Sequence, residues 1–187
     1  MQIIFKNMSE GLTKKILLTL AITGAFAIAA TSPYFLINFA RAYFKNKKYD
    51  KRKIAKTISR LKKNRLIILN EENGSFIVKL TEKGKKIIKK YQLKDLKIKT
   101  PKVWDGKWRV IIFDIPDKKK KKARDALRWK LKELNFYPLQ KSVWVCPYPC
   151  EDEIHFLAEL FEITPYVNIV LADKIFDDTE LREYFKI

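Results

Sequence analysis

The chain has 187 residues, 47% of them hydrophobic, with 40 Lys/Arg against 21 Asp/Glu and a formal net charge of +19. That apolar share excludes a disordered polyelectrolyte and suffices for one or two packed cores. Two cysteines exclude a disulfide scaffold and fit a reducing cytoplasm. The charge is one-sided: residues 1–99 carry 24 Lys/Arg against 6 Asp/Glu, a net of +18, and residues 100–187 carry 16 against 15, a net of +1. A basic half joined to a neutral one suits a polyanion-binding module attached to an assembly or regulatory module. A solvated lysine-rich surface would have the same composition.

Residues 1–10 are mixed and read as a short tail or a strand. From Ile16 to Ala40 no residue is charged, 25 positions in a row, a length that could span a bilayer. Thr31-Ser32-Pro33 interrupts the run, with Ser32 placed as a helix cap and Pro33 in the first turn. The run is therefore expected to be a helix ending near Ala30 and a second helix from Tyr34 to about Lys47. The first piece is short for a span and diluted by Thr19, Thr23 and Gly24, so a buried core helix is expected and a membrane partner is not.

Asp50 can cap a third helix in which Ile54, Ile58 and Leu61 recur at steps of four and three. Its opposite side offers Arg52, Lys53, Lys56, Thr57, Arg60 and Lys63. Leu66–Leu69 reads as a short strand, 70–74 as a turn with Asn73-Gly74 at its tip, and Phe76–Leu80 as the returning strand. Thr81 then caps a last helix, TEKGKKIIKKY. Helix, helix, basic helix, hairpin, helix is the order of a winged helix-turn-helix, and KLTEKGKK resembles the way bacterial winged-helix regulators leave the wing. Such a unit lays a helix in the major groove of duplex DNA. Lys53, Lys56, Lys63 and Lys79 are candidates for phosphate contacts, and Arg52, Thr57 and Arg60 for reading bases.

Gln92–Gly106 changes character, with spaced Leu93, Leu96 and Ile98 and a break at Thr100-Pro101, and reads as a linker. Lys107–Phe113 is an apolar run of strand length that places Val110, Ile112 and Asp114 on one face and Arg109, Ile111 and Phe113 on the other. Pro116 stops the ladder and Asp117 can cap the next helix. Ala123, Leu127, Leu131 and Leu134 form that helix's stripe, and Asn135 is a left-handed stop. A second strand sets Val143 and Val145 against Trp144 and Cys146. A helix over 151–162, with Ile154, Leu157, Ala158 and Phe161 as its stripe, a strand over 166–171 and a short helix over 177–187 complete an α+β sandwich of ferredoxin type. Residues 107–141 net +8 (12 minus 4) and residues 142–187 net −7 (3 minus 10), a polarity that suits a self-complementary dimer or contacts within one subunit.

The segments WDGKWRVIIFDIP, KLKELNFYPLQ and KSVWVCPYPC, over residues 104–150, resemble the central domain of PaaX-type transcriptional repressors. That domain in turn resembles the small CRISPR-associated adaptation endonucleases, which are ferredoxin-like and dimeric. The resemblance implies a homodimer. It also places Asp114 at the position of the acidic residue with which, one from each subunit, the endonucleases are thought to hold a divalent metal. A lone carboxylate is a poor Mg²⁺ site, so two subunits would be needed, with Asp117 the nearest further oxygen donor. In a repressor-like chain Asp114 is instead expected to shape the Asp-Ile-Pro turn or to accept hydrogen bonds from the following helix. The chain ends soon after this domain, whereas longer PaaX-type repressors continue, so an acyl-CoA effector response is not among the expectations.

No Gly-rich phosphate loop and no Ser/His/Asp arrangement occurs. Cys146, Cys150 and His155 lack an obvious fourth ligand and the usual zinc spacing. Trp104, Trp108, Trp129 and Trp144 suit packing or a dimer face better than base stacking. The expected protein is α+β: a tail (1–10), a winged helix-turn-helix domain (11–91), a linker (92–106) and a ferredoxin-like dimerisation domain (107–187). Its expected function is that of a cytoplasmic, homodimeric regulator of transcription, a repressor that binds specific double-stranded DNA without a resident cofactor. The alternative is a Mg²⁺-dependent nuclease, or a non-catalytic DNA-integration subunit, built on Asp114.

Overall fold

The computed structural model describes residues 11–23, 25–29, 51–72 and 75–187. The chain divides into two compact units, Met1–Asp95 and Leu96–Ile187.

The first unit opens with α1 (Leu12–Thr23), which buries Leu12, Ile16, Leu17 and Leu20. The helix stops at Thr23 instead of running to Ala30, and Ala25–Ala29 forms strand β1. Antiparallel pairing with Ser75–Lys79 satisfies its backbone. The expected cap at Ser32 and the expected helix over 34–47 lie outside the described residues, as do the 1–10 tail and Asp50.

Helix α2 (Lys51–Lys63) follows, then β2 (Ile67–Glu72), β3 (Ser75–Leu80) and α3 (Glu82–Asp95). The ribbon is longer than the sequence suggests: Asn70, Glu71 and Glu72, expected in the turn, are strand residues paired with β3. The three strands form a sheet ordered β1-β3-β2. One core joins these elements: Ile54, Ile58 and Leu61 of α2 share it with α1, Leu66, Ile67, Val78 and Ile88, and Tyr91 of α3 packs against it. Fully burying each such aliphatic side chain stabilises the fold by about 1.5–3 kcal/mol. Thr81 caps α3 as expected, its hydroxyl accepting from the Gly84 N–H at 3.0 Å. The helix then runs four residues past Tyr91, so 92–95 belong to it and not to a loop.

Gly84 is set by close approach. A Cβ there would lie 2.1 Å from the Leu66 carbonyl oxygen, and that oxygen already accepts from the Thr81 N–H at 3.1 Å. Gly84→Ala is therefore expected to lower unfolding free energy by about 1–3 kcal/mol, the range for overpacking. Urea denaturation followed at the first unit checks this, and unchanged stability would contradict the close approach.

The second unit contains β4 (Trp108–Phe113), α4 (Asp117–Glu133), β5 (Tyr137–Gln140), β6 (Val143–Cys146), α5 (Glu151–Leu160), a 3₁₀ turn (Thr164–Tyr166), β7 (Val167–Ala172) and α6 (Thr179–Phe185). The sheet order is β5-β6-β4-β7, with every neighbouring pair antiparallel. This is the ferredoxin-like βαββαβ arrangement. Strand β5 is the element the sequence did not reveal: it is short, holds Pro138, and shifts register between Pro138 and Gln140, all features of an edge. Helix α4 begins at Asp117 with Pro116 in the cap position, so Asp117 is not the cap. Asn135 adopts φ 64°, and the chain turns there.

Ile111, Phe113, Trp144 and Cys146 are buried on one face of the sheet, and Leu127, Leu131, Ile154 and Leu157 are buried on the two helices. The Arg128 guanidinium of α4 lies 5.8 Å from the Phe113 ring centroid. On the opposite face α6 brings Leu181 and Phe185 against Trp108 and Val145, with Tyr137 and Val110 at the border. The Trp108 indole N–H donates to Asp178, and the Tyr137 hydroxyl bonds Glu180.

Arg109, 5% exposed, is one of two buried charged residues among the described residues of this unit, the other being Lys130 at 1%. The Arg109 Nη1 and Nη2 donate to the two carboxylate oxygens of Asp105 at 2.8 and 2.6 Å. Nη1 also donates to the carbonyls of Lys107 and Pro147, each at 3.0 Å, and Nε faces Glu151 at 3.5 Å. The fork thus ties the entry to β4, the exit of β6 and the start of α5. Its hydrogen bond to Asp105 holds that carboxyl at about 2, below its ordinary 3.8. A depressed folded pKa contributes stability above the unfolded value and loses it as pH falls through the folded one. Acid unfolding between pH 3.8 and 2 should therefore be less steep in Asp105→Asn than in the parent. Circular dichroism against pH measures it, and identical acid limbs would contradict the linkage.

Candidate nucleic-acid interface

Helix α2 has seven cations and no carboxylate in thirteen residues, KRKIAKTISRLKK. Three cations stand in its first turn, where the helix dipole is positive. No acidic residue within the helix compensates them. The helix persists because its other face is buried: Ile54, Ile58 and Leu61 fill the core. Burial of one face forces Arg52, Lys53, Lys56 and Arg60 into solvent together, where all four are exposed.

These residues line one groove of about 480 Å³, closed by Thr57. Thr57 was expected on the outer face and is 7% exposed, with its hydroxyl donating to the Lys53 carbonyl at 2.7 Å. That turns the hydroxyl back on its own helix. Arg60 reaches across to α1, where Nη2 donates to the Thr13 hydroxyl at 2.7 Å. Thr13 is a residue sequence reasoning missed, because no local pattern joins positions 47 apart.

Lys63 is exposed but does not line the groove, and Lys79 lies on β3 and lines a different cleft. The helix end and the ribbon are joined. Thr81 Oγ1 donates to the Arg65 carbonyl at 2.6 Å, Lys83 Nζ donates to the Asn64 carbonyl at 3.1 Å, and Arg65 has φ 57°.

In the second unit Asp114 is exposed, and its backbone N–H donates to the Tyr166 carbonyl at 3.0 Å. Among the described residues no group of three or more His, Cys, Asp or Glu side chains is placed to hold a metal. Cys146 and Cys150 are buried and unbridged, while His155 is exposed. The two thiols hydrogen-bond one another, which lowers Cys146, also favoured by Arg109, and pushes Cys150 up. Trp108 and Trp144 are buried, whereas Trp129 is 64% exposed on α4. No described helix is long and apolar enough to cross a membrane.

A comparison with curated proteins finds no match. Residues 101–183 match the family described as PaaX protein, central Cas2-like domain. That span begins ahead of β4 and ends within α6, and so takes in the ferredoxin-like sheet and both of its helices. The second unit therefore carries a domain similar to the PaaX central Cas2-like domain.

Proposed function

We propose that the chain is a double-stranded DNA-binding regulator of transcription, a repressor, acting in the cytoplasm as a homodimer. The observation that carries this proposal is the exposed cationic face of α2 over a buried apolar stripe. The first unit is taken as a winged helix-turn-helix: helix, strand, basic helix, two-stranded ribbon, helix, with the early strand added to the ribbon. A helix of this size fits the major groove, and the ribbon can lie along the backbone beside it. The PaaX-like second unit supports a regulator.

Within the groove the roles divide by chemistry. Arg52 and Arg60 carry planar forks that match guanine edges, so they read bases. Arg60 keeps further donors beyond the one held by Thr13. Lys53 and Lys56 are point charges for phosphates, with Lys63 and Lys79 contacting the backbone on either side. Thr57 forms the wall.

Selection of bound duplexes from a random library, followed by salt titrations of fluorescence anisotropy, tests this. Arg52→Ala or Arg60→Ala should cost about 1–3 kcal/mol on the selected site and relax base preference. Lys56→Ala should weaken all duplexes alike and reduce the salt slope by about one. Binding with no sequence preference, or equal behaviour of the arginine and lysine variants, would refute the assignment.

The dimer is assigned to the part of the sheet that α6 leaves uncovered. There Ile112 and Val170, on the same face of neighbouring strands, are 40% and 44% exposed. Exposed aliphatic groups on adjacent strands suit a second copy related by a two-fold axis. Light scattering should give twice the 22.2 kDa chain mass for the parent and the single mass for Ile112→Asp with Val170→Asp. A double variant that keeps the dimer mass would remove this surface from consideration.

A further inference from the structure

A second cleft in the first unit has a composition unlike the α2 groove. It lies among the end of α1, the end of β3 and one side of α3, and encloses about 450 Å³. Its floor is apolar: Leu20 and Ile88 are buried, and Leu80 is half-buried. Its rim holds Lys79, Lys85 and Lys89, with Gln92 at one end, and no carboxylate lines it. Size, apolar lining and a few polar groups at the edge are the attributes of small-molecule sites.

The helix spacing matters. Lys85, Ile88, Lys89 and Gln92 follow each other at steps of three, one and three, so they form one stripe along α3. Lys85 and Lys89 are like charges at i,i+4, which destabilises a helix unless an anion lies between them. Among the described residues, the carboxylate that meets the stripe from outside the cleft is Glu82, 2.7 Å from Lys85 Nζ, in a pair exposed on both sides. Such exposed pairs are weak and exchange at little cost. Lysine ammoniums are compact point charges that can hold a carboxylate without a planar fork. Hydrocarbon floor and ammonium rim together fit an amphiphilic anion.

We infer that this cleft binds a small aliphatic monocarboxylate, its hydrocarbon chain laid on Leu20, Leu80 and Ile88 and its carboxylate held by Lys85 and Lys89. The site shares no residue with the α2 groove and stands whether or not that groove reads DNA. No covalent step is involved.

Isothermal titration calorimetry of the full chain with octanoate and decanoate, below their micellar range, provides the test. Saturable binding with one carboxylate per chain is expected. Decanol, which has the tail without the charge, should bind about tenfold more weakly, the loss of a hydrogen bond to a charged group. Lys85→Glu with Lys89→Glu should weaken decanoate by at least about tenfold on the same grounds. Ala21→Trp, an exposed position on the cleft wall, should exclude decanoate while keeping every lysine. Arg52→Ala should leave decanoate affinity unchanged. Absence of saturable binding, equal binding of decanol and decanoate, or retention in both cleft variants overturns the proposal. So does loss in Arg52→Ala, which would place the carboxylate in the α2 groove.

Discussion

The first unit depends on a conflict within α2 between burial and charge. Ile54, Ile58 and Leu61 draw the helix into the core, while seven cations along thirteen residues repel each other and oppose the dipole at the first turn. Hydrophobic burial wins, at about 1.5–3 kcal/mol for each of three side chains against a few tenths for each exposed like-charge pair. The residual repulsion is not removed by any acidic residue of the helix. A polyanion laid along the outer face would remove it, so the feature that strains the free helix favours the bound one.

The second unit handles charge in the opposite way. Arg109 is taken inside, and its fork is matched by Asp105 and by two carbonyls. Breaking such a pair leaves a buried charge alone, which costs more than the pair itself contributes. Three loops that meet at one guanidinium cannot shift independently. The basic first unit and the neutral second unit therefore differ in more than composition: one exposes Arg52, Lys53, Lys56 and Arg60 along one helix face, and the other pairs its buried cations, Arg109 and Lys130, within its own architecture.

Much of this was legible in the sequence because it was local. The β4 alternation, the α2 stripe, the Thr81 cap and the left-handed Asn135 each follow from a few neighbouring residues. The misses depend on distant partners. Ala25–Ala29 alternates, but five residues in an apolar run cannot be told from helix until β3, some fifty residues on, offers its edge. Strand β5 was hidden by Pro138 and an irregular register. In the candidate site, the cationic residues of the groove could be named from helical spacing, while the inward turn of Thr57 and the reach of Arg60 to Thr13 could not. The cleft on α3 escaped notice because its apolar floor comes from α1 and β3, and only the lysine stripe is contiguous.

The corner at Gly84 has a mechanical consequence. There the end of α2, the ribbon and α3 are pinned through Leu66, Thr81 and Lys83 within a few residues. Helix and ribbon therefore form a rigid bracket, not two fingers on a hinge. A bracket of fixed span would measure any object it gripped. For a duplex it would admit one groove width and reject a wider or deeper helix, so an RNA–DNA hybrid with A-like grooves would be refused on shape before any base was read.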